Sequence, residues 1–265
     1  MPYFTTSDGV RLRYEVQGSG KNAIAFLNGI AMNIDGWRMQ ADFLKGKGFL
    51  VLLHDMRGQG ASDKPRAEYS LERHVLDLKE LLDFLGFDEV SLVGISYGGK
   101  VSLMAALSMP DRIKNLVILN SSHTVDRALK LRVDRWILAA RLKSGRFLWQ
   151  AMVPDIFSDR FLNDNFSFVS SLAPGFELID FVSFEEMAKA FTRVDLHGKL
   201  SVLNTQALVV AGTDDKFFPP RYSRLIVEEL PMGKYYELDC GHVSIWEKPR
   251  EVNELIYKFL SGDKK

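Results

Sequence analysis

Six short apolar runs recur along the chain: NAIAFLN at 22–28, FLVLLHD at 49–55, EVSLVGI at 89–95, NLVILNS at 115–121, QALVVAG at 206–212 and KYYELDC at 234–240. Each is read as unalternated and bounded by turn residues, the pattern of a strand buried on both faces. Parallel neighbours need long crossovers, usually helical. Segments 37–44, 71–85, 100–107, 222–230 and 252–260 carry apolar residues at helical spacing and supply them. Ahead of the runs, YFTTSDGVRLRYEV at 3–16 sets Asp8-Gly9 between two β-rich stretches, the signal of a tight hairpin. The expectation is an α/β fold: a mostly parallel central sheet of about eight strands, antiparallel where it begins, with helices on both faces.

The alternation fails once. From His123 to Leu203 no strand pattern occurs, while RALKLRVDRWILAARL and FEEMAKAFTRV have helical periodicity, interrupted at Pro154 and at Pro174-Gly175. Because strand-like runs stand on either side, this segment is expected to be a helical cap inserted above the sheet. The division is then 1–122 for the first part of the core, 123–203 for the cap and 204–265 for the second part.

Lysine plus arginine and aspartate plus glutamate number 34 each, so the chain has no basic field to hold a phosphate backbone or an anionic lipid surface. With 46% hydrophobic and 26% charged residues, it has the composition of a globular protein. The start MPYFTTSDGV has neither the basic residues nor the apolar run of a signal peptide, and no transmembrane-length apolar stretch occurs. A cytoplasmic protein is expected, with neither nucleic acid nor membrane as partner. One cysteine, Cys240, excludes a disulfide framework and reads as a small buried hydrophobe. The sequence carries no signal of oligomeric state.

In an open parallel sheet, the residues just past the carboxyl ends of the strands line the ligand crevice. Here these are Asn28, Gly29 and Ile30 after the first run, Ser96 after the third, Asp214 and Asp215 after the fifth, and Gly241 and His242 after the sixth. His123, two residues beyond the fourth run, is a second candidate base. A serine, an acid and a histidine therefore arrive at one sheet edge. Ser96 lies between Gly94 and Gly98 at a junction of strand and helix, where larger neighbours would collide. The backbone amide of Tyr97, at the start of the helix, is placed to face a developing oxyanion.

The order Ser, Asp, His, with G-x-S-x-G between strand and helix, resembles the α/β-hydrolase family. GISYGG is similar to its nucleophile elbow, HDMRGQGASDKP to a loop at a strand end, AGTDDKFFP to its acid turn and CGHVSIWEKP to its histidine turn. LNGIAMNIDGWRMQ further resembles the corresponding stretch of 3-oxoadipate enol-lactonases, with Asn28 where the family usually has histidine. The resemblance implies Ser96 as nucleophile, His242 as base in preference to His123, and Asp215 as the orienting acid, with Asp214 left as a turn residue. It also implies the backbone amides of Ile30 and Tyr97 as the oxyanion hole. Asp55 and Arg57 are expected to brace their loop.

The implied function is hydrolysis of a small carboxylic ester or lactone through an acyl-enzyme, with no cofactor. Thioesterase, C–C bond hydrolase and acyltransferase chemistry belong to the same fold, and a ligand receptor that keeps the triad without turnover is the alternative from another class. The histidines do not form H-E-x-x-H, and the glycine clusters match no nucleotide loop, so neither a metal nor a nucleotide is expected. Trp136, Phe147, Trp149 and Phe181 of the cap could line a pocket, but their helical spacing fits packing equally well.

Overall fold

Residues 2–262 are described by a computed structural model. Its strands are β1 (Tyr3–Thr5), β2 (Arg11–Gln17), β3 (Ala23–Leu27), β4 (Leu50–His54), β5 (Val90–Ile95), β6 (Ile113–Leu119), β7 (Gln206–Gly212) and β8 (Gly233–Leu238). They form one sheet in the order β1-β2-β4-β3-β5-β6-β7-β8. The pairs β1/β2 and β2/β4 are antiparallel and all the others parallel. At the opening hairpin the chain turns through Gly9, whose φ of 84° suits a residue without Cβ. From β3 the chain moves to β4 on one side and then crosses to β5 on the other. The carboxyl ends of β3 and β5 thus flank the point where the strand order reverses, the usual position of a ligand crevice.

The unalternated runs are explained by burial on two faces. Ile24, Phe26, Val51, Leu53, Val93, Ile95, Val117 and Leu119 join one apolar cluster, whereas Ala25, Leu27, Leu52, Leu92, Leu116 and Ile118 join the other. Helices α1 (Arg38–Gly46), α2 (Leu71–Leu85) and α3 (Tyr97–Ser108) follow β3, β4 and β5 in turn. Between β6 and β7 come α4 (Arg127–Arg141), α5 (Gly145–Ile156), α6 (Asp159–Asp164), α7 (Phe166–Ser171), α8 (Ala173–Phe176) and α9 (Phe181–Arg193). The chain closes with α10 (Pro220–Glu229), α11 (Ser244–Glu247) and α12 (Pro249–Ser261). Trp37, Ala41 and Leu44 beside α1, with Val252 and Ile256 of α12, cover one face of the sheet; α2, α3 and α10 cover the other.

Two expectations need correction. KYYELDC is not buried on both faces: β8 ends the strand order, and its Lys234 and Tyr236 are exposed. Polar residues alternate into it because an edge strand is covered on one side. Pro154 does not interrupt its helix but lies in the last turn of α5, which ends at Ile156. Pro174 is the second residue of α8, in a first turn where a missing N–H costs nothing.

Candidate active site

Ser96 occupies the junction of β5 and α3 with φ 56° and ψ −118°, a conformation that costs a non-glycine residue about 1–3 kcal/mol. The surroundings enforce it. Ser96 N–H donates to Leu119 O of β6 at 2.9 Å, and Ser96 O accepts from Ser121 Oγ at 2.7 Å. A Cβ on Gly94 would lie 2.4 Å from Gly98 O, and one on Gly98 would lie 2.2 Å from Leu27 O. The glycines are needed because the helix start, the strand end and β3 converge on the serine.

His242 follows β8, and Asp215 follows β7. His242 Nδ1 and Asp215 Oδ2 are 2.8 Å apart, with both residues buried. That Asp215 oxygen also accepts from Asn120 Nδ2 at 3.2 Å, while Oδ1 accepts from the amides of Phe217 and Phe218 at 2.9 and 2.7 Å. The carboxylate is held by four donors, and the imidazole lies beside the rings of Phe217 and Phe218. With Nδ1 engaged, Nε2 is the ring nitrogen available for proton transfer. Asn120 itself has φ 47° and accepts from Ser244 Oγ at 2.6 Å, so it links β6, the acid turn and the histidine turn. Nothing in the sequence singled out its role beyond its neutral charge at a strand end.

The loop after β3 is fixed by amide side chains. Asn28 is fully buried and donates to His54 O and to Gln59 Oε1, both at 3.1 Å, while its Oδ1 accepts from Trp37 Nε1 at 2.9 Å. Gln59 Nε2 then donates to Gly29 O and Ile30 O at 2.7 and 3.1 Å. Asn28 therefore provides three hydrogen bonds to the loop, and Trp37 does more than pack. Gly29 borders the serine: a Cβ built on it would lie 3.6 Å from Ser96 Cβ. Among the described residues, Ile30 N–H has no acceptor, and Tyr97 N–H begins α3 and so has no partner within the helix.

Asp55 accepts from Ile34 N–H and Ala61 N–H at 2.8 and 2.9 Å, bracing its loop. Arg57 reaches farther, donating to Asp77 of α2 and to Asp8 of the hairpin turn. Asp214, read as a local turn residue, instead accepts from Asp159 N–H at the start of α6. Nearby, Glu247 accepts from Ser158 N–H and Oγ at 2.8 and 2.6 Å. The histidine and acid turns thus anchor the helical segment. Cys240 is buried, and that burial pushes its thiol up from its ordinary value.

Ser96, His242 and Ile30 line one cavity of about 450 Å³; Asp215 stands behind His242, and the Tyr97 side chain lies outside the lining. Of the aromatic residues singled out in the segment 123–203, Trp136 lines it, while Phe147, Trp149 and Phe181 do not. Met152, Ile156, Phe157, Phe168 and Phe176 line it as well. Spacing within a helix cannot say which side faces a cavity when both sides are apolar. His123 points elsewhere: its Nε2 lies 3.0 Å from Glu229 Oε1, to which His197 Nδ1 also comes within 2.7 Å. Histidines far apart in sequence thus meet where the helical segment leaves and rejoins the sheet. Their ligand atoms and that of Glu229 lie within 4.8 Å of one another, a donor set that could hold a metal ion.

The description alpha/beta hydrolase fold matches residues 22–249, and the chain belongs to that family. It is 24% identical over 255 residues to 3-oxoadipate enol-lactonase 2 of Acinetobacter baylyi, covering 95% of this chain and 93% of the relative. It is 28% identical over 273 residues to a 2-hydroxy-6-oxononadienedioate/2-hydroxy-6-oxononatrienedioate hydrolase of Paraburkholderia phymatum, covering 95% and 91%. An alpha/beta hydrolase enzyme from a Medee basin deep-sea metagenome library superposes with a TM-score of 0.93 at 27% identity, over 100% of this chain and 98% of that one. The class that the fold and these relatives define is a hydrolytic enzyme. No helix among the described residues is long and apolar enough to cross a membrane.

Proposed function

We propose that this hydrolase cleaves carboxylic esters or lactones through an acyl-enzyme. Ser96 Oγ attacks the carbonyl carbon as its proton passes to His242 Nε2, and Asp215 holds the imidazole and stabilises the imidazolium. The carbonyl oxygen becomes an oxyanion received by the amides of Ile30 and Tyr97. As the C–O bond to the alcohol breaks, His242 returns the proton to the leaving oxygen. Water then repeats the sequence on the acyl-enzyme and frees the acid. In this reading the segment 123–203 is the cap that encloses the substrate over core parts 1–122 and 204–265, and a reducing cytoplasm suits the single buried thiol.

The observation that carries the reading is that His242, held by buried Asp215, lines the same cavity as a serine held at φ 56°. The lactonase activity named for the Acinetobacter relative agrees with it. C–C bond hydrolysis, named for the Paraburkholderia relative, would use the same residues and is the second reading. Steady-state hydrolysis of short p-nitrophenyl esters tests the proposal. Ser96→Ala and His242→Ala are each expected to lower kcat by about 10³-fold or more. Unchanged turnover in Ser96→Ala would exclude the nucleophile; retained activity in His242→Ala, with loss in a His123 variant, would exclude the base.

A further inference from the structure

The cavity wall restricts what can enter it. Among the described residues it contains no lysine or arginine; its one formal charge, Asp35, is 63% exposed and paired with Arg38. Most side chains in the wall that can hydrogen-bond are already engaged; besides Ser96 and His242 Nε2, the amide nitrogen of Asn33 is the neutral donor left over. Trp246 Nε1 donates to Gly36 O, Trp136 Nε1 donates to Asp155, and Asn33 Oδ1 accepts from Asp35 N–H. What faces the interior is thioether, aliphatic and aromatic surface, with Met152, Ile156, Phe157 and Phe176 on the cap side and Met32 and Trp246 on the core side.

Two cations stand nearby, in an adjoining recess of about 300 Å³ that shares Ile30, Ala31 and Met32 with the cavity. Both are occupied. Lys64 Nζ donates to Gly60 O and Ser62 O at 2.7 and 2.8 Å, and Arg13 pairs with Glu15 at 2.9 Å. A carboxylate on the acyl chain would therefore lose its water in the cavity with no cation in the wall to pair with, which is strongly unfavourable. An apolar chain would gain from every methylene it buries there.

From this wall we infer that the enzyme takes uncharged esters or lactones with a medium-length apolar acyl group, and discriminates against acyl groups ending in a carboxylate. The inference rests on the ester-hydrolase reading and narrows it. Its volume falls within the roughly 300–1,000 Å³ of ordinary small-molecule sites, so selectivity comes from the chemistry of the wall more than from exclusion by size.

The test compares kcat/KM for p-nitrophenyl acetate, butyrate and hexanoate with that for the half-ester of adipic acid, which has the length of hexanoate and a terminal carboxylate. A rise of about fourfold per methylene is the upper expectation from area burial. The half-ester should be slower than hexanoate by about 10²-fold or more. Phe168→Arg, at a half-exposed position of the wall, should narrow that gap by lowering hexanoate turnover and raising that of the half-ester. Equal rates for hexanoate and the half-ester, or a faster half-ester, would overturn the inference. Labelling of Ser96 by a fluorophosphonate separates the two failures: a labelled serine with no apolar preference refutes the substrate class alone, and an unlabelled one refutes the hydrolase reading beneath it.

Discussion

At the scale of single residues, the site is built from positions that tolerate little change. Gly98 is the tightest: a methyl group there would meet Leu27 O at 2.2 Å and Asn28 O at 2.7 Å, both backbone atoms at the base of the proposed oxyanion loop. Gly98→Ala must move either that loop or the start of α3. We expect a loss of about 1–3 kcal/mol in stability from the added volume. A fall of about 10²-fold in kcat should accompany it, because displacements near 1 Å are enough to disturb catalytic alignment. Urea unfolding and ester kinetics on the same preparation check both, and wild-type kcat would show that the loop position does not matter. The glycines around Ser96 were legible because a small residue on each side of a strand-end serine has a steric reason. Gln59 and Asn120 were not, since an amide's value lies in partners such as Gly29 O and Asp215 that are distant in sequence.

At the scale of elements, α2 carries an acid-sensitive group. His74 is buried with neither ring nitrogen hydrogen-bonded, edge-on to Tyr69 and Tyr97. Burial lowers its pKa from the ordinary 6.5 to about 3, and burial of His54 at the end of β4 lowers that residue to about 4. In the window from about 6.5 down to these values, the unfolded chain takes up protons that the folded one refuses. Their stabilising contribution is complete above the unfolded value and declines as pH falls. At pH 5 the penalty for His74 is about 2 kcal/mol. His74→Leu should remove it, so the urea midpoint should fall less between pH 7 and pH 5 than in wild type; an unchanged pH slope would assign the acid sensitivity elsewhere. Periodicity located α2 well, because its apolar stripe packs on α3. It could not show that His74 lies on the buried side, in a segment rich in charge.

At the scale of the whole molecule, the six apolar runs specify a sheet, its strand order brings β3 and β5 to the reversal point, and the polar residues after the strands gather there. Fold class and the order of motifs were legible because burial on two faces leaves unalternated runs and strand ends leave turn residues. The edge character of β8 and the cavity-facing side of the helices between β6 and β7 were less so, since both depend on what packs against an element. The Asp214 and Glu247 bonds to Asp159 and Ser158 also join parts of the chain far apart in sequence. The central claim is that this arrangement makes Ser96 a nucleophile, and covalent labelling tests it most directly. Wild-type protein treated with a fluorophosphonate should gain one adduct, mapped by peptide mass to Ser96, and Ser96→Ala should gain none. An unreacted wild type, or an adduct on Ser96→Ala at the same rate, would contradict the account.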